Sequence, residues 1–212
     1  MLRSGMTIIR PAEKGTKYAA EQASEIIRRG GVVAYPTETF YGLGIKYDDN
    51  SAMKKLYKLK YRSSEKAMPL IIGDTALLEL IAVKITHAAE KLIRQFWPGP
   101  LTILFYAKEN IAGFVTAETG KIAVRIPGES FALELARELM FPITATSANI
   151  SGSPPAETAD DVARSFGGKI DLIVDCGKTP GGAASTIVDA SEERIVILRA
   201  GKISSEEILA AL

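Results

Sequence analysis

GGVVAYPTETFYGLG, residues 30–44, decides the class of fold. Ahead of it, Tyr18, Ala19, Ala23, Ile26 and Ile27 form an apolar stripe at helical spacing, and Gly30-Gly31 stop that helix. Val32 to Tyr35 then reads as a short buried strand that Pro36 ends. The remainder, 36–44, carries too many polar and turn residues for a core element and is expected as a loop. A helix, a buried strand and a polar loop in immediate succession point to mixed α and β structure.

Working outward, a second helix begins near Asn50, with Ala52, Met53, Leu56 and Leu59 inward and its lysines on the wetter faces. A polar stretch at 62–66 leads to a strand in MPLII. Helical stretches follow around TALLELIA and THAAEKLIRQFW, the second stopped by Pro98-Gly99-Pro100. LTILFY at 101–106 and KIAVRI at 121–126 are strands, and 108–120 reads equally as loop or irregular helix. FALELARELM is a helix ending before PITATS. Thr158 with Asp161 and Ser204 with Glu207 fit capping boxes, while DLIVD, STIVDA and RIVILR supply late strands. The alternation has no regular β-α-β rhythm, no internal repeat and no low-complexity linker. It therefore predicts one α+β (mixed α/β) domain over 1–212.

Composition narrows the function. With 47 % hydrophobic and 24 % charged residues over 212 positions, the chain can close a sizeable core. Twenty-six Lys and Arg against 25 Asp and Glu leave a net charge of +1, so a protein that coats polyanions is not the default. The single Cys176 cannot form an internal disulfide, and it reads as a passive residue near the core. The single His87 leaves little for a histidine relay or metal chemistry, and it reads as structural or exposed. Phe96 and Trp97 are candidates for core packing. No long apolar run and no signal segment opens a membrane or secretory reading, so a soluble cytoplasmic protein in a reducing compartment is expected.

Charge is nonetheless uneven. Residues 1–68 hold 13 Lys and Arg against 7 Asp and Glu, and residues 69–212 hold 13 against 18. Lys46, Lys54, Lys55, Lys58, Lys60, Arg62 and Lys66 make up much of the excess. A solvated helix face and a seat for phosphates both explain them.

Four polar clusters stand out. Thr37, Glu38, Thr39, Tyr41, Gly42 and Gly44 combine hydroxyls with room for close backbone approach. Lys60, Tyr61, Arg62, Ser63 and Ser64 sit where a helix gives way to a loop. Thr144 to Gly152 packs hydroxyls and an amide among small side chains, as a polar pocket needs. Gly177, Gly181-Gly182, Ser185-Thr186 and Arg199 form the fourth. Each also reads as an ordinary turn. Ser147 lies outside a GxSxG context, which argues against a hydrolase triad, and neither standard nucleotide-binding fingerprint occurs.

Taken in order, PTETFYGLG, KYR followed by PL, WPGPLT, AVRIP, TSANISG, STIVD and ILRAG resemble the YrdC-like threonylcarbamoyl-AMP synthase family. The resemblance covers approximately 19–203, with a short C-terminal helix at 204–212, and is to the single-domain branch. Thr146 before Ser147 and Ala200 after Arg199 stand where the family more often has proline. The resemblance implies a twisted mixed β-sheet with an open, positively charged concave face flanked by helices. It also implies a nucleotidyltransferase that makes threonylcarbamoyl-AMP and pyrophosphate from L-threonine, bicarbonate or CO2, and ATP. The product would serve threonylcarbamoylation of tRNA adenosine 37 through a downstream transferase machinery. Carried over, the resemblance assigns Lys60 and Arg62 to catalysis and, with Ser147, Asn149 and Arg199, to ATP phosphates. Thr37, Thr39, Tyr41 and Arg125 fall to threonine and bicarbonate. Mg2+ would arrive with the nucleotide, without a dedicated protein metal site. The rival readings are a nonenzymatic RNA binder and a general ATP hydrolase; weak tRNA or other RNA binding is compatible with the synthase as well.

Overall fold

The structure, a computed structural model, describes residues 6–63 and 66–212, so Ser64 and Glu65 of the polar stretch lie outside the described residues. The chain opens with β1 (Thr7–Ile9), α1 (Pro11–Lys14) and α2 (Thr16–Arg28). The sequence pattern did not reveal β1 or α1, because three or four residues are too few to show a period. Next come β2 (Val33–Pro36) and β3 (Tyr41–Gly44), paired antiparallel with Tyr35 opposite Gly42 and Pro36 opposite Tyr41. Residues 41–44, expected as loop, are thus a fully buried strand. The glycines make this pairing feasible. A Cβ on Gly44 would lie 2.5 Å from a ring carbon of Tyr35, and one on Gly42 would lie 3.3 Å away.

The remaining elements are α3 (Asn50–Lys60), β4 (Leu70–Ile71), α4 (Leu78–Ile81), α5 (His87–Phe96), β5 (Leu101–Tyr106), α6 (Gly113–Thr116), β6 (Lys121–Arg125), α7 (Phe131–Leu139), β7 (Ile143–Thr144), β8 (Thr146–Ser147), α8 (Ala159–Phe166), β9 (Leu172–Val174), β10 (Thr186–Asp189), β11 (Val196–Arg199) and α9 (Ser205–Ala210). The open segment 108–120 holds only the one-turn α6. Asp49 caps α3 by accepting from the N–H groups of Ser51 and Ala52, both at 2.9 Å. Both anticipated capping boxes form, at Thr158 with Asp161 and at Ser204 with Glu207. Trp97 is buried, its indole donating to the Leu101 carbonyl at 2.7 Å, and His87 is exposed beside Glu90. Cys176, expected near the core, is exposed; it follows β9 at the turn where Gly177 adopts φ +83°. Among the described residues, no helix is long and apolar enough to cross a membrane.

The strands form two mixed sheets where one was expected. The first runs β1-β9-β2-β3-β8 and the second β11-β10-β5-β6-β4-β7. Helices α2 and α7 cover the first sheet, with Ala19, Ala23 and Ile27 meeting Leu135, Ala136 and Leu139 over Val33 and Tyr35. A larger core gathers Leu56, Leu92, Ile103, Phe105, Val162 and Phe166. The sheets are stitched by 143–147, since β7 is the edge of one and β8 the edge of the other. The Thr144 carbonyl accepts from the Tyr35 hydroxyl at 2.7 Å, and the Ala145 N–H donates to Pro69 at 2.8 Å.

Helix α3 ends at this seam. Tyr61 takes the left-handed conformation, φ 50°, and closes the helix. Lys60 was expected on a wet face, yet it is 1 % exposed. Its ammonium donates to the carbonyl of Ser147, to that of Asn149 at 2.6 Å and to Asn149 Oδ1 at 3.4 Å. The Ser151 N–H donates back to the Lys60 carbonyl at 2.9 Å. Burial, reinforced by the Arg62 charge, pushes the ammonium down to about 7.

Two outcomes follow from this packing. Gly44→Ala must displace a Tyr35 ring held at its hydroxyl, and should cost about 1–3 kcal/mol in denaturant unfolding. Gly168→Ala, with nothing within 4 Å of the added methyl, should stay within about 0.5 kcal/mol. Lys60 titrates lower folded than unfolded, so the unfolded chain holds more protons between about pH 7 and about 10.4. Stability of the wild type relative to Lys60→Met should therefore rise through that window. A difference that stays flat from pH 7 to 9.5 in urea unfolding contradicts the assignment.

Candidate functional site

A cleft of about 300 Å³ opens where the two sheets meet. The 37–42 segment forms one wall, while Leu70, Thr102, Arg125, Ile187 and Arg199 of the second sheet form the other. Ala145 to Ser147 and Asn149 lie between them. The register explains the second wall, because Ile187 pairs with Thr102 on one side and with Arg199 on the other. Three strands thereby bring a hydroxyl and a guanidinium to the same end of the sheet.

The first wall is shaped by Thr37. Its Oγ1 accepts from the N–H groups of Thr39 at 3.1 Å and Phe40 at 3.2 Å, and it donates to the Phe40 carbonyl at 2.8 Å. This local turn reverses the chain and leaves Thr39 Oγ1 3.1 Å from Thr37 Oγ1. Tyr41 donates its hydroxyl to the Gly177 carbonyl at 2.8 Å; burial first, then the Asp175 charge, hold that phenol protonated. The 147–149 turn is equally ordered. Ser147 Oγ lies 2.5 Å from Asn149 Oδ1, and Asn149 donates to the Ser153 carbonyl at 2.5 Å.

Three guanidinium groups face this polar frame. Arg62 donates to the Ala67 carbonyl at 2.8 Å and to that of Lys66 at 3.3 Å. Arg199 donates to the Ser185 carbonyl at 2.7 Å and to its hydroxyl at 3.1 Å. Arg125 pairs with Glu38 at 2.5 Å. Arg199 is pushed below its ordinary value by desolvation and then by the Arg125 charge, so the two cations sense each other. Among the described residues, no Asp, Glu, His or Cys lines the cleft, and no three such side chains group to hold a metal. Such a surface can bind and orient a polyanion.

Of the residues singled out in sequence, Thr37, Thr39, Tyr41, Arg62, Arg125, Ser147, Asn149 and Arg199 line this one cleft. Lys60 does not; it lies behind the 147–149 turn, with its donors directed at backbone oxygens. Sequence reasoning missed Thr102, whose Oγ1 lies 3.0 Å from Ser185 Oγ. A lone hydroxyl in the apolar run LTILFY was the available signal. It also missed that Glu38 and Arg125, 87 positions apart, form a pair.

Comparison with known proteins agrees with this architecture. The family described as telomere recombination, Sua5/YciO/YrdC, matches residues 25–201. The threonylcarbamoyl-AMP synthase of Pyrococcus abyssi (strain GE5 / Orsay) is 39 % identical over 201 residues, covering 95 % of this chain and 59 % of the relative. That of Bacillus subtilis (strain 168) is 39 % identical over 192 residues, covering 90 % and 56 %. The chain thus spans somewhat under three-fifths of the length of these relatives. The crystal structure of P. abyssi Sua5 complexed with L-threonine superposes with a TM-score of 0.88 at 38 % identity, covering 98 % of this chain and 60 % of that one. A continuous match across the hairpin, the seam and all three cleft arginines means that the chain belongs to the Sua5/YciO/YrdC family.

Proposed function

We propose that the chain is a nucleotidyltransferase that makes threonylcarbamoyl-AMP and pyrophosphate from L-threonine, bicarbonate or CO2, and ATP. The observation that carries this reading is the convergence of Arg62, Arg125 and Arg199 on one cleft walled by hydroxyls. Relatives that carry the synthase name at 39 % identity support it, as does a relative's complex with L-threonine at 38 %.

The chemistry asks for alignment more than for reactive side chains. The neutral threonine amine forms an N–C bond to CO2 as one C=O π bond opens onto oxygen, and loss of an N–H proton to solvent gives the carbamate. A carbamate oxygen then attacks the α-phosphorus of ATP, the α–β phosphoanhydride bond breaks, and pyrophosphate leaves with the electron pair. Arg62 and Arg199 would neutralise the triphosphate, Ser147 and Asn149 would contact phosphate oxygens, and Thr37, Thr39, Tyr41 and Arg125 would shape the amino-acid end. Lys60 would act from behind, holding the carbonyls of the 147–149 turn away from the phosphates. Mg2+ would arrive with the nucleotide. The product would pass to a downstream tRNA threonylcarbamoyl transferase machinery.

Pyrophosphate release with mass detection of the adenylate, with and without L-threonine, tests this reading. Threonine-dependent pyrophosphate is expected, and Arg62→Ala should lower kcat by about 10²-fold or more with a smaller change in ATP affinity. Unchanged turnover in that variant would remove Arg62 from the phosphate clamp. Threonine-independent phosphate release would favour an ATP hydrolase.

Weak RNA contact is a second reading, and a separate groove favours it. Lys54, Lys55 and Lys58 of α3, with Lys169 after α8, line this groove beside Tyr61, which is 74 % exposed. Cations around an exposed aromatic suit a phosphate backbone with a stacked base. Binding to tRNA should weaken steeply with salt, and Lys54→Ala with Lys58→Ala should flatten the log–log salt slope by about 1–2. An unchanged slope removes this groove from RNA binding.

A further inference from the structure

Glu38 is the one acid in contact with a cleft arginine among the described residues. The Thr37 turn carries it inward, where its side chain is 13 % exposed and that of Arg125 is 9 %. The fit is close, since a Cβ on Gly128 would lie 3.3 Å from Glu38 Cγ. Lys202 donates to the Glu38 carbonyl at 3.3 Å and helps hold the turn. Oxygen Oε1 takes the Arg125 bond; Oε2 is buried without a hydrogen-bond partner among the described residues. A carboxylate kept there half-satisfied is costly unless its charge is needed.

The need is visible in the cation count. Arg62, Arg125 and Arg199 share a small cleft, and Glu38 offsets only the charge on Arg125. Among the described residues Arg62 and Arg199 have no acidic partner, whereas the Arg125 charge is offset by Glu38. A polyphosphate therefore gains least at Arg125. A zwitterion, whose ammonium a bare cation repels, is best accommodated there, where the guanidinium is fixed and its charge balanced.

We propose that Glu38 is a positioning and specificity-determining residue, which balances and orients Arg125 so that the cleft around Arg125 takes an amino-acid zwitterion and rejects phosphate. The inference deepens the synthase reading and rests on it for the identity of the amino acid.

Calorimetry with inorganic pyrophosphate and, separately, with L-threonine tests the proposal without requiring turnover. In Glu38→Gln, pyrophosphate should bind about 5–10-fold tighter and threonine about 10-fold weaker. A merely structural role would weaken both together. Because Glu38→Gln leaves a buried cation unpaired, Glu38→Gln with Arg125→Gln provides a neutral pair that should fold. There the gain in pyrophosphate affinity should disappear. Glu38→Asp, which keeps the charge, should recover most of the threonine affinity. Parallel losses for both ligands in folded Glu38→Gln, or a pyrophosphate gain that survives in the double variant, would overturn the proposal. Wild-type protein that binds pyrophosphate but not threonine would instead sink the synthase reading and the amino-acid half of this one. The pyrophosphate comparison would still decide the charge-balancing half.

Discussion

Backbone groups at 143–147 have to be paired in two sheets at once, and the rest of the structure is arranged around that requirement. Two residues close the edge of one sheet, one crosses, and two close the edge of the other. Unpaired buried N–H and C=O groups are expensive, so such a seam persists only if side chains and neighbouring loops complete its bonding. Tyr35 reaches the Thr144 carbonyl, Thr144 Oγ1 serves Ile45 and Leu43, and Pro69 takes the Ala145 N–H. Because the two edges diverge from this seam, a cleft opens there. Its wall residues stand on strands and tight turns, which fix their directions.

The same seam explains a buried lysine in a protein of near-zero net charge. Lys60 projects from the end of α3 into the carbonyls of the 147–149 turn, where an apolar side chain would leave acceptors unmet. Its cost is desolvation, and its effect is to fix the turn that presents Ser147 and Asn149. The guanidinium groups in front of it are less fully compensated. Among the described residues one acid pairs with the three, an arrangement suited to anions.

Much of this was legible in the letters. Amphipathic spacing located α2, α3, α5 and α7, the capping boxes marked α8 and α9, and β5 and β6 lay where apolar runs placed them. Polar clusters at 37–41, 62, 147–149 and 199 supplied most of the polar cleft residues, since small hydroxyls and arginine beside turn residues mark places where backbone and ligand approach closely. What failed did so for local reasons. Gly42 and Gly44 look like loop residues until a tyrosine ring across the hairpin requires their missing side chains. Lys60 looks like a wet-face lysine because helical period gives a direction and not a neighbour.

The sequence by itself determined which segments bury a face, where helices start and stop, and which residue types were available for anion chemistry, because periodicity, caps and turn chemistry are short-range. The tertiary structure alone decided that there are two sheets, that Glu38 meets Arg125 across 87 positions, and that Lys60 lies behind the cleft while Arg62 lines it. Those outcomes depend on strand pairing between distant segments, and pairing energy is settled by register and packing that no local window contains.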